Sequence, residues 1–279
     1  LTRAAADRLS THPKPLRDPK SLTCWNALLV RGFAEAHRAL PENGYDQATT
    51  NLLEALINSV WQNGEIAHQY LNGEAEGEGF LDDYSSFGQA LLEGFLLTGN
   101  SIYFDHAQEI AKSIERIFPF EGAFRVYTPS FEAAWQKQLE IEDNVIPSAN
   151  SMWAHFFQYL GVIADRNDWK EQAQLALRAV HSKVFRYGPN FSNWLELGLM
   201  RAYGAKELVI TGSGAKAAAE ELQRAHYQPG TLVLFSESAA ELAHFKGRVG
   251  HTLTYYLCSN NTCQLPTTDL NELLKLWKA

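Results

Sequence analysis

The feature that most constrains this chain is the rhythm of its breaks. Apolar residues recur with a helical period over roughly 25–40, 45–60, 83–98, 101–117, 149–165, 168–186 and 191–203. Within pairs the links are short and carry turn chemistry: PENG at 41–44, TGNS at 98–101 and DRND at 165–168. Between pairs they are long, 61–81 and 118–147, with strand-like pieces (EIAHQYL, GAFRVYT) and the glycine-rich turn NGEAEGEG. This punctuation predicts αα-hairpins stacked side by side, an alternating helical solenoid that curves toward closure. Long links in such a solenoid are where binding elements sit.

After Gly204 the pattern changes. KELVITG, TLVLF and TLTYYLC read as strands, AKAAAEELQRAHY and DLNELLKLWKA as helices. The helical crossover predicts that ELVI and TLVLF lie parallel in one sheet. The expected division is a helical-hairpin portion over 1–204 and a small α/β unit over 205–279. GSG at 212–214 follows a strand and opens a helix, a place where a phosphate can bind, but a plain tight turn is the favoured reading because the full dinucleotide pattern is absent.

With 46% hydrophobic and 20% charged residues in 279, the chain is ordinary globular material. A net charge of -8 argues against a sequence-independent grip on nucleic acid. Polar residues or glycine interrupt every apolar run before it reaches membrane-spanning length, so no membrane association is expected. Three cysteines, Cys24, Cys258 and Cys263, lack the number and spacing of a disulfide framework or a zinc site, which fits a reducing, cytoplasmic setting. The start at Leu1 leads to the expectation that upstream sequence has been trimmed.

If the first helix of each hairpin lines a ring, the helix starts share one mouth. Trp25 and Asn26, then Asp82, Asp83 and Tyr84, then Asn150 and Ser151, then Asn193 and Trp194 open those helices. Helix starts offer free N–H groups, aromatic faces stack on sugar C–H surfaces, and amides and carboxylates bind hydroxyls. Taken singly, Ser148, Asn150 and Asn193 are also good N-caps. Two adjacent acids exceed what one cap requires: Asp83 and Asp82 are both candidate catalytic residues, with Asp83 the choice for the acid, oriented by Tyr84, because Asp82 is better placed to cap. Glycoside hydrolysis needs a second carboxylate, from Asp18 or Asp143, whereas epimerisation beside a carbonyl needs an acid/base pair such as a histidine supplies. His68 and His155 are weighed for that role and read more readily as surface or satisfied residues. Cys258 and Cys263, five apart, are expected to be structural, with a reversible disulfide left open. Trp135, Trp153 and Trp277 are expected in the core.

DPKSLTCWNALLV (18–30), GFLDDYSSF (79–87), PSANS (147–151) and CSNNTCQLPTTDLNEL (258–273) together resemble the YyaL family of thioredoxin-domain-containing proteins, which includes spermatogenesis-associated homologues of animals. That resemblance implies an (α/α) barrel like those of N-acylglucosamine 2-epimerases and six-hairpin glycosidases. It also implies partners in the same polypeptide, an N-terminal thioredoxin-like domain and a first half of the barrel, neither of them in this chain. PSANS carries alanine where the family usually has glycine. Four inner helices, where a closed ring needs six, predict a partial toroid that exposes an apolar edge or buries it against another copy.

The expected function is a sugar-active or sugar-binding domain of epimerase or glycosidase type, needing no metal or cofactor and taking a small carbohydrate. The rival expectations are a non-catalytic scaffold for the thioredoxin-like domain and a redox-associated protein.

Overall fold

The computed structural model describes residues 16–62, 64–129, 138–204, 206–226, 230–237, 242–248, 250–259 and 262–278; Trp135, expected in the core, lies outside them. Seven helices come first: α1 (Thr23–Ala39), α2 (Tyr45–Val60), α3 (Leu81–Thr98), α4 (Ser101–Ile117), α5 (Ala149–Ile163), α6 (Asn167–Arg186) and α7 (Ser192–Tyr203). Helix α1 packs on α2, α3 on α4 and α5 on α6, while α1 also packs on α3, α3 on α5, and α7 on α5 and α6. The odd-numbered helices form an inner layer and the even-numbered ones an outer layer. This is the (α/α) toroid-type arrangement expected, present as an arc of four inner helices among the described residues.

Burial follows from this layering. Helices α3 and α5 are covered on nearly every side, and residues such as Phe87, Leu91, Trp153 and Phe157 are fully buried. Outer helices bury one stripe only, for example Ala107, Ile110, Ala111 and Ile114 of α4. Gly88 of α3 lets α5 come close: a β-carbon there would lie 2.4 Å from the Phe156 ring. The inner helices at the two ends of the arc carry exposed apolar side chains, Trp25 and Leu29 on α1 and Leu195 and Leu199 on α7.

The first long link forms strands β2 (Trp61–Gln62), β3 (Glu65–Leu71) and β4 (Glu74–Glu78), which join β1 (Ser21–Leu22) in an antiparallel sheet. NGEAEGEG is therefore a turn at Asn72 and Gly73 followed by a strand, a correction to its reading as turn alone. The second long link contains the hairpin β5 (Phe120–Glu121) and β6 (Phe124–Arg125).

The last portion comprises β7 (Lys206–Thr211), α8 (Ala215–Ala225), β8 (Thr231–Ser236), β9 (Thr254–Ser259), β10 (Thr262–Cys263) and α9 (Leu270–Lys278). Strands β7 and β8 are parallel, as expected, and the sheet order is β10-β9-β7-β8. Two of the turn amides are already engaged, Gly212 N–H with Ser236 O and Ser213 N–H with His251 O, which favours the tight-turn reading. Gly212 is required there, since a β-carbon would meet the Thr252 carbonyl at 2.3 Å. Asp269 caps α9 by accepting from Asn271 N–H, in place of the threonines expected. Cys258 and Cys263 are joined in a disulfide. Trp153 and Trp277 are core residues. No helix among the described residues is long and apolar enough to cross a membrane.

Candidate functional site

The starts of the inner helices lie at one end of the arc and are tied together by buried side chains. Asp83, in the first turn of α3, accepts from Cys24 N–H of α1 (2.9 Å), from Phe80 N–H just before its own helix (3.0 Å) and from His68 Nδ1 of β3 (2.8 Å). Asp143 acts alike for α5 and α7, accepting from Ser148 N–H (2.9 Å), the Ser151 hydroxyl (2.8 Å) and Asn193 N–H (2.9 Å). Asn150 accepts from Arg125 N–H at 2.8 Å and donates to the Arg125 and Glu140 carbonyls at 3.0 Å, fastening the second long link to α5. The Tyr84 hydroxyl accepts from Ile66 N–H, and Trp194 Nε1 donates to Ile141 O, each at 2.9 Å. Side chains whose polar atoms are all engaged in this way hold backbone in place.

Asp82 is different. It is buried, yet its Oδ1 has no hydrogen-bond partner. Burial, and then the charges of Asp83 and Glu140, push its pKa up to about 7. The Cys24 thiol and the Tyr127 hydroxyl beside it are both held protonated well above their ordinary ranges, by burial first and then by the charge of Asp82. Burial also raises Glu140. Phe80 stacks on Tyr127 at 5.0 Å and meets the His68 ring edge at 4.9 Å, giving the cluster an aromatic wall.

His68 completes the group. Its hydrogen bond to Asp83 raises its pKa, and each of His68 and Asp82 lies close enough to feel the other's charge. With a carboxylate as acceptor, Nδ1 carries the proton and Nε2 is left for other work. The result is an acid, Asp82, and an oriented imidazole at one spot, with Asp83 as the orienting group.

A cavity of about 510 Å³ lies further along the inner helices, toward their C-terminal ends, and the α/β unit closes its far side. Its lining includes Arg31 of α1, Gln89 and Glu93 of α3, His155 of α5, Glu196 of α7 and Trp277 of α9. Gln89 follows Asp82 by seven residues, so both lie on one side of α3, about 10 Å apart along its axis. The buried Gln89 Oε1 also lacks a partner. His155 donates from Nε2 to Asn193 O at 2.7 Å, and burial lowers its pKa.

The structure thus brings the expected residues to one end and sorts them differently. Asp83, expected as the acid, is a buried anchor; Asp82, expected as the cap, keeps the free oxygen. The reason is that α3 begins at Leu81, which makes Asp83 the third helical residue, placed to accept from the Phe80 N–H. Tyr84 binds Ile66 rather than orienting Asp83. Tyr84, Asn150, Ser151 and Trp194 are buried and bonded within the protein, so the structure does not present them to a ligand. Trp25 is exposed, and Asn26 donates to Leu22 O at the start of its own helix. Of the partner acids considered, Asp143 is saturated, and Asp18 pairs with Lys20 at the surface. Glu140, not singled out from the sequence, lies nearer in effect. His68, weighed for the acid/base role and read more readily as a surface or satisfied residue, is brought to Asp83 by β3.

No protein-family model matches the chain. Human spermatogenesis-associated protein 20 is 24% identical over 95% of this chain and 37% of its own length. The rat protein of that name is 25% identical over 95% and 36%, and an uncharacterized Caenorhabditis elegans protein is 24% identical over 95% and 38%. The chain spans little more than a third of the length of these relatives. Among solved structures, cellobiose 2-epimerase from Bacillus thermoamylovorans overlaps 61% of the chain and 47% of its own at 17% identity and a TM-score of 0.49. A GH76 α-mannanase from Bacteroides thetaiotaomicron overlaps 62% and 48% at 13% identity and a TM-score of 0.49. At these TM-scores the overlaps are partial, and the toroid-type architecture stands on the helix packing itself. The resemblance read from the motifs is a similarity over 95% of the chain to the spermatogenesis-associated protein 20 proteins of animals.

Proposed function

We propose that this is a sugar-active domain of epimerase or isomerase type, with Asp82 and His68 as its acid/base pair. The observation that carries the proposal is the buried Asp82 carboxyl, its Oδ1 without a hydrogen-bond partner and its pKa pushed up to about 7, beside a histidine oriented by Asp83. Keeping a carboxyl in that state costs folding stability, and a functional site is where such a cost persists. In this account His68 Nε2 removes the proton from the carbon next to a sugar carbonyl while Asp82 protonates the carbonyl oxygen. Return of the proton gives the epimer or the isomer. Activity requires Asp82 protonated and His68 neutral, so it is lost at high pH as Asp82 gives up its proton and at low pH as His68 gains one. Arg31, Gln89 and Glu196 of the neighbouring cavity are the donors and acceptors that this reading assigns to sugar hydroxyls, Gln89 standing about 10 Å along α3 from Asp82.

The scaffold alternative has its own support, the four mouth residues buried as loop anchors, and Asp82 is what separates the two. The test is proton exchange into a panel of aldoses and ketoses in deuterated buffer, followed by NMR. Wild type is expected to exchange the proton beside the carbonyl of at least one sugar, with a bell-shaped pH profile, and Asp82→Asn and His68→Gln to reduce the rate at least about a hundredfold. Sugar binding with no exchange, or exchange unaffected by both substitutions, would leave the scaffold as the better account.

A further inference from the structure

The cysteine pair lies in the α/β unit and has no part in the chemistry proposed for Asp82. Cys258 of β9 and Cys263 of β10 stand opposite each other in register and are joined as a disulfide. Cys258 is buried, whereas Cys263 is partly exposed. The Arg248 guanidinium reaches both sulfurs, with Nη2 3.2 Å from Cys263 Sγ and Nη1 3.8 Å from Cys258 Sγ. Its residue is fixed in that position: the Arg248 carbonyl accepts from Thr211 Oγ1 at 2.7 Å and from the Tyr256 hydroxyl at 3.4 Å, and the guanidinium sits 5.1 Å from the Tyr256 ring centroid.

A neutral disulfide gains little from a full positive charge against it. A thiolate gains much, because a cation a few ångströms away favours the anion and makes it a better leaving group. Arg248 is therefore matched to the opened pair rather than to the closed one. We propose that Cys258–Cys263 is a thiol–disulfide exchange centre that accepts electrons from a dithiol able to close to an unstrained cyclic disulfide, with Arg248 as its positioning residue.

The steps balance. A thiolate of the dithiol attacks the partly exposed Cys263 Sγ and forms a mixed disulfide; the Cys258–Cys263 bond breaks and its electron pair leaves on Cys258 Sγ, facing Arg248 Nη1. The second thiolate of the reductant then attacks its own sulfur in the mixed disulfide. The reductant departs as a cyclic disulfide and Cys263 is freed as a thiolate beside Arg248 Nη2. Two electrons pass to the pair, and the two thiolates take up the two protons that the reductant lost.

The test opens the pair in the folded protein with dithiothreitol at graded ratios of reduced to oxidised reagent, traps thiols with a maleimide and weighs the products, for wild type, Arg248→Gln and Arg248→Lys. Circular dichroism checks that each variant is folded. Wild type is expected to open reversibly without denaturant. Arg248→Gln should open about tenfold more slowly and to a smaller extent at equal reagent ratio, with Arg248→Lys intermediate. Opening only in denaturant would overturn the proposal, as would rates and extents in Arg248→Gln equal to wild type. If the glutamine variant does not fold, the lysine variant decides alone: one point charge in place of the two-pronged guanidinium must slow opening, and an unchanged rate refutes the role of Arg248.

Discussion

Two adjacent aspartates meet opposite surroundings, and the difference is set by a single residue of helix phase. Asp83 faces three donors and Asp82 faces none at its Oδ1. Asp83→Ala orphans the buried Cys24 amide and the part-buried Phe80 amide and frees the His68 ring, so a loss of about 2–4 kcal/mol is expected by denaturant titration. Asp82 behaves oppositely. Its folded pKa of about 7 lies above its ordinary value of 3.8, so the folded protein binds the extra proton between those values and its stability falls as pH rises through that window. Asp82→Asn is therefore expected to melt higher than wild type at pH 8 and to lose that advantage near pH 4, as calorimetry at the two pH values would show. An equal offset at both would mean that the carboxyl titrates normally. None of this was legible from the residue types, since DD at a helix start offers a cap and a spare without saying which is which. One physical cue was present: helix α3 starts two residues earlier than its apolar period suggests, and an acid at its third position is a capping signal.

At the scale of elements, the helices and their pairing were legible because the apolar period and the turn residues are local properties of the chain. The parallel pairing of β7 with β8 was legible from the helical crossover between them. What was not legible depends on contacts far apart in sequence, such as β3 delivering His68 to Asp83 fifteen residues on, or Arg248 reaching Cys263. Close approach of α3 and α5 is another such property, and Gly88 marks it. Gly88→Ala gains about 1 kcal/mol in helix propensity but forces a methyl group against the fully buried Phe156 ring, so a net loss of about 2 kcal/mol is expected from chemical unfolding.

At the scale of the molecule, the arc gathers its inner helix starts at one end and seats the α/β unit near the other, with the cavity between. Its two terminal inner helices among the described residues leave Leu29 and Leu199 exposed. Replacing both with serine is expected to reduce binding of an apolar dye by this chain while changing stability by no more than about 0.5 kcal/mol each. The central claim, however, concerns Asp82, and a carbon-detected NMR titration of its side-chain carboxyl tests it most directly. The account predicts a midpoint near pH 7, moving with the charge of His68. A midpoint in the ordinary carboxylate range near pH 4 would contradict it and remove the acid from the proposed pair.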